Sequence, residues 1–179
     1  MKTIIVQKDS PVLRQIAHPV KKDEIQSKRI QNILLKMKRA LKKEEDGVAI
    51  AAPQIGESLR IFIVSGRIIS LMNQKDEELD DQTKDAPDLV FINPIIKKLS
   101  KSKKKMEEGC LSVRWLYGQV ERSDRATVEA YNELGQKFQK GASGLMAQIF
   151  QHEADHLDGV LFIDKALNIE EIPPQKQND

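Results

Sequence analysis

Gln151-His152-Glu153-Ala154-Asp155-His156-Leu157-Asp158-Gly159 decides the reading of this chain, because it contains His-Glu-x-x-His. Residues four apart lie on one face of a helix, so both imidazoles can reach one metal ion. Glu153 then stands beside that ion, where a carboxylate can take a proton from water and later return it. Upstream, Leu145, Ile149, His152 and His156 form one helical stripe, and Met146, Phe150, Glu153 and Leu157 form the next. Gly141-Ala142-Ser143-Gly144 reads as a flexible start with Ser143 as cap, and Gly159 as a stop. The histidines continue an apolar face and are expected to point inward. The same pattern could also be two satisfied core histidines on a buried helix, so the rest of the chain has to decide.

With 179 residues, 40% hydrophobic and 31% charged, the chain reads as one soluble globular domain over 1–179, with a polar, frayed tail at 170–179. A net charge of +2 does not argue for nucleic acid. No apolar run approaches membrane-spanning length. The first residues lack the long apolar core of a secretory signal, and Asp9 with no arginine before Arg14 argues against a transit peptide. A single cysteine cannot form an internal disulfide, which fits a reducing compartment. The expectation is a cytoplasmic monomer without membrane or specific nucleic-acid partners.

Along the chain, Thr3 to Val6 reads as an edge strand, and His18 as a structural or solvated loop residue before Pro19. Residues 23–44 carry a helical apolar stripe (Ile25, Ile30, Ile33, Leu34, Met37, Leu41), with Asp23 as cap. Val48 to Gly56 is small and apolar except for Gln54, an amide that either ties down a loop or faces a substrate. Arg60 to Val64 and Leu89 to Ile96 read as strands, and 65–89 as an exposed loop or hairpin extension with an acidic run at Asp76 to Asp81. Lys97 to Lys105 is the strongest basic patch, either a solvated turn or a contact for RNA. Residues 113–139 alternate as strands, with a hairpin turn at Asn132 to Gly135.

A catalytic metal site needs a third protein ligand and one open position. No third histidine follows the motif helix, and the chain nearly ends before a downstream glutamate could serve. Cys110 remains; as a thiolate it would bind a soft divalent ion, although a lone cysteine is more often a small buried hydrophobe.

Three blocks in this order resemble peptide deformylase: Gly47-Val48-Ala49-Ile50-Ala51-Ala52-Pro53-Gln54, Glu108-Gly109-Cys110-Leu111-Ser112, and Gln151 to Leu157. The likeness covers nearly the whole chain. It implies an α+β fold in which antiparallel strands wrap around a central metal-binding helix carrying His-Glu-x-x-His, with the 23–44 helix outside. It also implies hydrolysis of the N-formyl group from the formylmethionine of newly made polypeptides, releasing formate.

By matching positions, the resemblance makes Cys110, His152 and His156 the ligands of one divalent ion, iron(II) first, with zinc, nickel or cobalt able to take its place. It makes Glu153 the general base and acid. The Gln54 side chain and the Leu111 N–H become donors to the formyl oxygen. Leu145 and Ile149 would form the methionine pocket, with Gln148 at its rim, and Val48, Ala49 and Gly109 would face the peptide main chain. Asp155 would pair with Arg122 as support behind the ligands. The partners implied are formylmethionyl nascent peptides, with Lys101 to Lys105 as a candidate ribosome contact.

Two positions depart from the family's usual pattern. Ala49 stands where glycine is usual, and Arg114-Trp115 where Pro-Gly or similar is common. The latter alters the rim at the peptide entrance, and Trp115 could cover residues beyond methionine or only pack on the surface. A metalloprotease would share His-Glu-x-x-His but not the Glu-Gly-Cys-Leu-Ser block. A deformylase-like peptide binder, or an enzyme for another acyl group, would be favoured only by those two departures. A closed structural metal site would need a fourth ligand, and no second cysteine exists.

Overall fold

The computed structural model describes residues 4–73 and 86–174. Two antiparallel sheets and three helices organise them. The five-stranded sheet has the order β1 (Ala49–Ala51), β2 (Ile61–Val64), β3 (Leu89–Leu99), β6 (Arg125–Tyr131), β7 (Lys137–Ser143). The three-stranded sheet has the order β4 (Lys103–Gly109), β5 (Leu116–Ser123), β8 (Leu167–Glu171). Helix α3 (Gly144–Leu157) packs against strands of both sheets and carries His152, Glu153 and His156. The expected α+β architecture around one motif-bearing helix is the one found.

The core explains why α3 lies where it does. All four residues of β2 are buried, a run suited to a strand covered on both faces. Phe62 stacks on Phe91 at 4.4 Å between ring centroids, and Phe150 of α3 meets Phe91 edge-on at 5.2 Å. Opposite, α1 (Lys28–Lys43) buries Ile30, Ile33, Leu34, Met37 and Leu41. A third cluster of Leu13, Val113, Val120, Leu161 and Phe162 lies beneath the smaller sheet.

Several boundaries differ from the sequence reading. Helix α1 starts at Lys28 rather than 23, capped by Ser27, whose hydroxyl accepts the Ile30 N–H at 3.3 Å; Lys22–Glu24 is a separate 3-10 turn. Ile4 to Val6 is not a strand, because the Val6 N–H goes to the Gln54 carbonyl instead of a ladder; Thr3 lies outside the described residues. Gly141 to Ser143 is the end of β7 rather than a flexible lead-in, and Ser143 holds the cap position without a side-chain bond. Part of the expected 65–89 loop is helix α2 (Gly66–Asn73), whose first N–H is accepted by Asp88 at 2.8 Å. The acidic run Asp76 to Asp81 lies outside the described residues.

At the other end, Glu170 and Glu171 belong to β8, opposite Tyr117 and Leu116, so fraying does not begin at 170. The lysine patch spans the end of β3, the connection at 100–102 and the start of β4, where the chain crosses from the larger sheet to the smaller; Lys103 pairs with Glu121 and Lys104 with Asp124. His18 is an exposed loop residue whose backbone bridges to Leu59, as expected. Gly159 ends α3 with φ +74°, and a side chain there would sit 2.9 Å from the Arg14 backbone.

Candidate metal centre

Helix α3 is fixed to the end of β5 by a buried amide. Gln151 Nε2 donates to the carbonyls of Ser123 (2.9 Å) and Ala147 (2.8 Å), and its Oε1 accepts the Ser123 N–H at 3.0 Å. This sets the rotation of the helix. His152, the next residue, and His156, one turn further, face the end of β4, where Cys110 follows Gly109. Cys110 Sγ lies 3.2 Å from His156 Nε2. One ligand atom each from Cys110, His152 and His156 falls within 4.8 Å of the others. One ion with bonds of about 2.0–2.3 Å can bridge that spacing with small side-chain shifts.

The His152 ring is held from behind. Its Nδ1 is 2.9 Å from Glu108 Oε2, which leaves Nε2 for the cluster. Arg122 grips Glu108 with two parallel bonds, Nε at 2.7 Å and Nη2 at 2.9 Å, and reaches Asp155 with Nη1 at 2.7 Å. Lys165 closes the chain on Asp155 at 2.7 Å. Burial alone would raise the Glu108 carboxyl; Arg122 and His152 together outweigh it and hold the group down at about 2. Burial, with His152 adding to it, pushes the His156 imidazole well below its ordinary value, leaving a neutral ring with a lone pair to give.

Glu153 has the opposite environment. It is buried, and its Oε2 finds no hydrogen-bond partner among the described residues. Burial pushes its carboxyl up to about 7, with His152 opposing and Glu108 adding. Such a group is poised to exchange a proton near neutrality. An orphaned carboxylate oxygen beside a thiol and two imidazoles fits a soft divalent ion with a reactant next to it.

Gln54 is 1% exposed. Its Oε1 accepts the Ala51 N–H at 2.8 Å, while Nε2 donates to Ser112 Oγ at 3.2 Å and lies 3.5 Å from Cys110 Sγ. The amide is thus locked with its donor end toward the cluster. Leu111 follows Cys110, its carbonyl tied to Gln7 Nε2 at 3.2 Å.

A cavity of about 300 Å³ opens over the cluster, at the lower end for small-ligand sites. Val48, Ala49, Gly109, Leu145 and Ile149 all line it, together with Gln54, Cys110, Leu111, His152 and Glu153. A Cβ on Gly109 would stand 2.7 Å from the Tyr117 ring, so a larger residue there would have to displace that ring. Ala49 sits in β1 opposite Val64, an ordinary strand position that accepts its methyl. Gln148, expected at the rim, also lines the cavity; it is buried and donates to the Glu107 carbonyl at 2.8 Å.

The sequence reading did not assign Glu108, Ser112 or Gln151 roles of their own. Glu108 carried a usable signal: strand alternation places it on the inner face with Met106, while Glu107 is exposed. A carboxylate on an inner face needs a partner.

The chain's likenesses to known proteins agree with this geometry. The sequence profile for polypeptide deformylase matches residues 2–171. Peptide deformylase of Desulforudis audaxviator is 40% identical over 166 residues, covering 92% of this chain and 94% of that one. Chloroplastic/mitochondrial peptide deformylase 1A of Arabidopsis thaliana is also 40% identical, over 90% of this chain but 60% of its own length. The Met-Ala-Ser-bound crystal structure of the class I type b enzyme from Acinetobacter baumannii superposes with a TM-score of 0.75 at 33% identity, over 92% of this chain and 99% of that one.

Proposed function

The chain belongs to the polypeptide deformylase family, and from that premise we propose that Cys110, His152 and His156 hold one divalent ion at which N-formylmethionyl peptides lose their formyl group. The reaction is hydrolysis of a linear amide: water oxygen joins the formyl carbon, the C–N bond breaks, and formate and a free amino terminus result. The observation that carries the site reading is the convergence of those three side chains beneath a cavity, with Glu153 Oε2, which has no partner among the described residues, beside them.

A divalent ion held there would supply Lewis acidity to the hydrolysis. Everything else is work for the chain's own groups. Glu153 takes the proton of the attacking water and delivers it to the amide nitrogen, a poor leaving group without it. Gln54 Nε2 and the Leu111 N–H donate to the oxygen on which negative charge develops, and one such donor is worth roughly 3 kcal/mol. Leu145 and Ile149 receive the methionine side chain, and the backbone at Val48 and Gly109 pairs with the extended peptide. The Lys165–Asp155–Arg122–Glu108 chain fixes the His152 ring.

Thiolate and imidazole donors suit iron(II) and equally zinc, nickel or cobalt; iron(II) is the ion assigned here. We read residues 1–179 as one catalytic domain that acts as a monomer in the cytoplasm. No described helix is long and apolar enough to cross a membrane. The exposed β3–β4 lysines, Lys101 and Lys105 among them, are the surface assigned to ribosome contact; replacing them should weaken ribosome association and spare short-peptide turnover, and equal loss of both would count against it.

The deciding experiment measures formate release from formyl-Met-Ala-Ser by anaerobically purified, iron-loaded protein, beside Glu153→Ala. Release by the wild type, and a loss of about 10²–10⁴ in the variant, is the expected result. No release from wild-type protein with its metal bound would refute the assignment.

A further inference from the structure

The cavity over the cluster continues past the methionine wall to Asp46, Arg114 and Trp115. Arg114 is tied down there: Nη2 lies 2.7 Å from Glu44 and Nη1 2.6 Å from Asp46. Glu44 and Asp46 lead into the Val48–Ala49 wall, while Arg114 follows the Cys110 wall, so this clasp joins the two sides of the mouth. The guanidinium sits 5.0 Å from the centre of the Trp115 ring. The Trp115 carbonyl accepts the N–H of Ile172 at 2.9 Å, just past β8. A half-buried indole beside that guanidinium, on a backbone tied to the end of β8, offers apolar surface at little ordering cost.

We propose that Trp115, held by the Arg114–Glu44–Asp46 clasp, determines specificity by contacting the residue that follows formylmethionine and favouring a bulky apolar side chain there. This rests on the deformylase reading above. An acidic side chain at that position would meet Asp46 and the exposed Glu107, with only Arg114, already paired to Glu44 and Asp46, to offset them, and would be the poorest choice.

The test compares kcat/KM for formyl-Met-Leu-Ser, formyl-Met-Gly-Ser and formyl-Met-Asp-Ser. The wild type should prefer leucine to glycine by about tenfold, with aspartate last. Trp115→Ala should bring the leucine-to-glycine ratio close to one, through KM rather than kcat. Trp115→Leu removes the ring but fills the space; it guards against an alanine variant that fails to fold and should move the ratio the same way.

Trp115 is also the chain's only tryptophan, so its fluorescence reports the contact without turnover. Titration with the deformylated peptide Met-Leu-Ser should shift its emission more than Met-Gly-Ser does. A ratio unchanged by both substitutions, or an emission indifferent to the second residue, overturns the proposal. Wild-type protein that releases no formate from any peptide would sink the reaction instead, and the fluorescence titration would still decide for Trp115.

Discussion

Replacing Arg122 by methionine removes the charge at the centre of the buried network and keeps much of the side chain's length. Arg122 is 3% exposed and makes three short bonds to two carboxylates. Breaking a buried pair from one side leaves an uncompensated charge and costs about 3–5 kcal/mol. A second route gives a similar figure. A carboxyl held at about 2 against an ordinary 4.5 corresponds to roughly 3 kcal/mol of native-state preference for the charged form. Most of that is forfeited without Arg122, because His152 alone remains to oppose burial.

The sign follows from the depressed value. The Glu108 contribution is present above pH 4.5 and is lost as pH falls toward 2. The gap between wild type and variant should therefore be widest near pH 7 and narrow below about pH 4.5. For a chain of this size, 3 kcal/mol is a fall in Tm of roughly 6–12 °C. Urea unfolding of both proteins in chelator, at about pH 7 and about pH 3, measures it with the ion excluded. A difference under about 1 kcal/mol, or one that does not change with pH, would refute the view that Glu108 is a charged, buried anchor.

Three further outcomes follow from the same contacts. Gln54→Ala should lower kcat by about 10²–10³ with a smaller change in KM, read by steady-state formate release. Cys110→Ala should lose the ion while staying folded, checked by metal analysis after gel filtration together with circular dichroism; stoichiometric ion in the variant would remove Cys110 from the ligand set. Gln151→Leu leaves the Ser123 backbone groups buried without partners and should cost about 1–3 kcal/mol in denaturant unfolding.

The site was legible where its chemistry is local. His152, Glu153 and His156 are fixed by helical spacing alone, and Gly159 marks the helix end that φ +74° confirms. Cys110 had to be found by elimination, and the Arg122–Asp155 pair by family resemblance, because nothing at short range connects either to the helix. Glu108 escaped because its partners lie 14 and 44 residues away, beyond the reach of periodicity. Helix α2 escaped because charge and loop composition in 65–89 hid an eight-residue apolar segment. The start of α1 was misplaced because Ile25 keeps the apolar rhythm going across a break that Ser27 caps.

The two halves of the proposed ligand set arrive on different pieces of architecture. Cys110 hangs from the end of the smaller sheet, whereas both histidines ride on a helix packed chiefly against the larger one. An ion bound by all three is a rivet across that seam, and docking of the sheets and affinity for the ion become one equilibrium observed from two ends. At a thousandfold excess over its dissociation constant, a ligand confined to the native state adds about 4 kcal/mol to stability. Damage far from the ligands, such as loss of the β8 edge, should therefore register as weaker metal retention. Chelation, conversely, should loosen the smaller sheet before it disturbs the phenylalanine core.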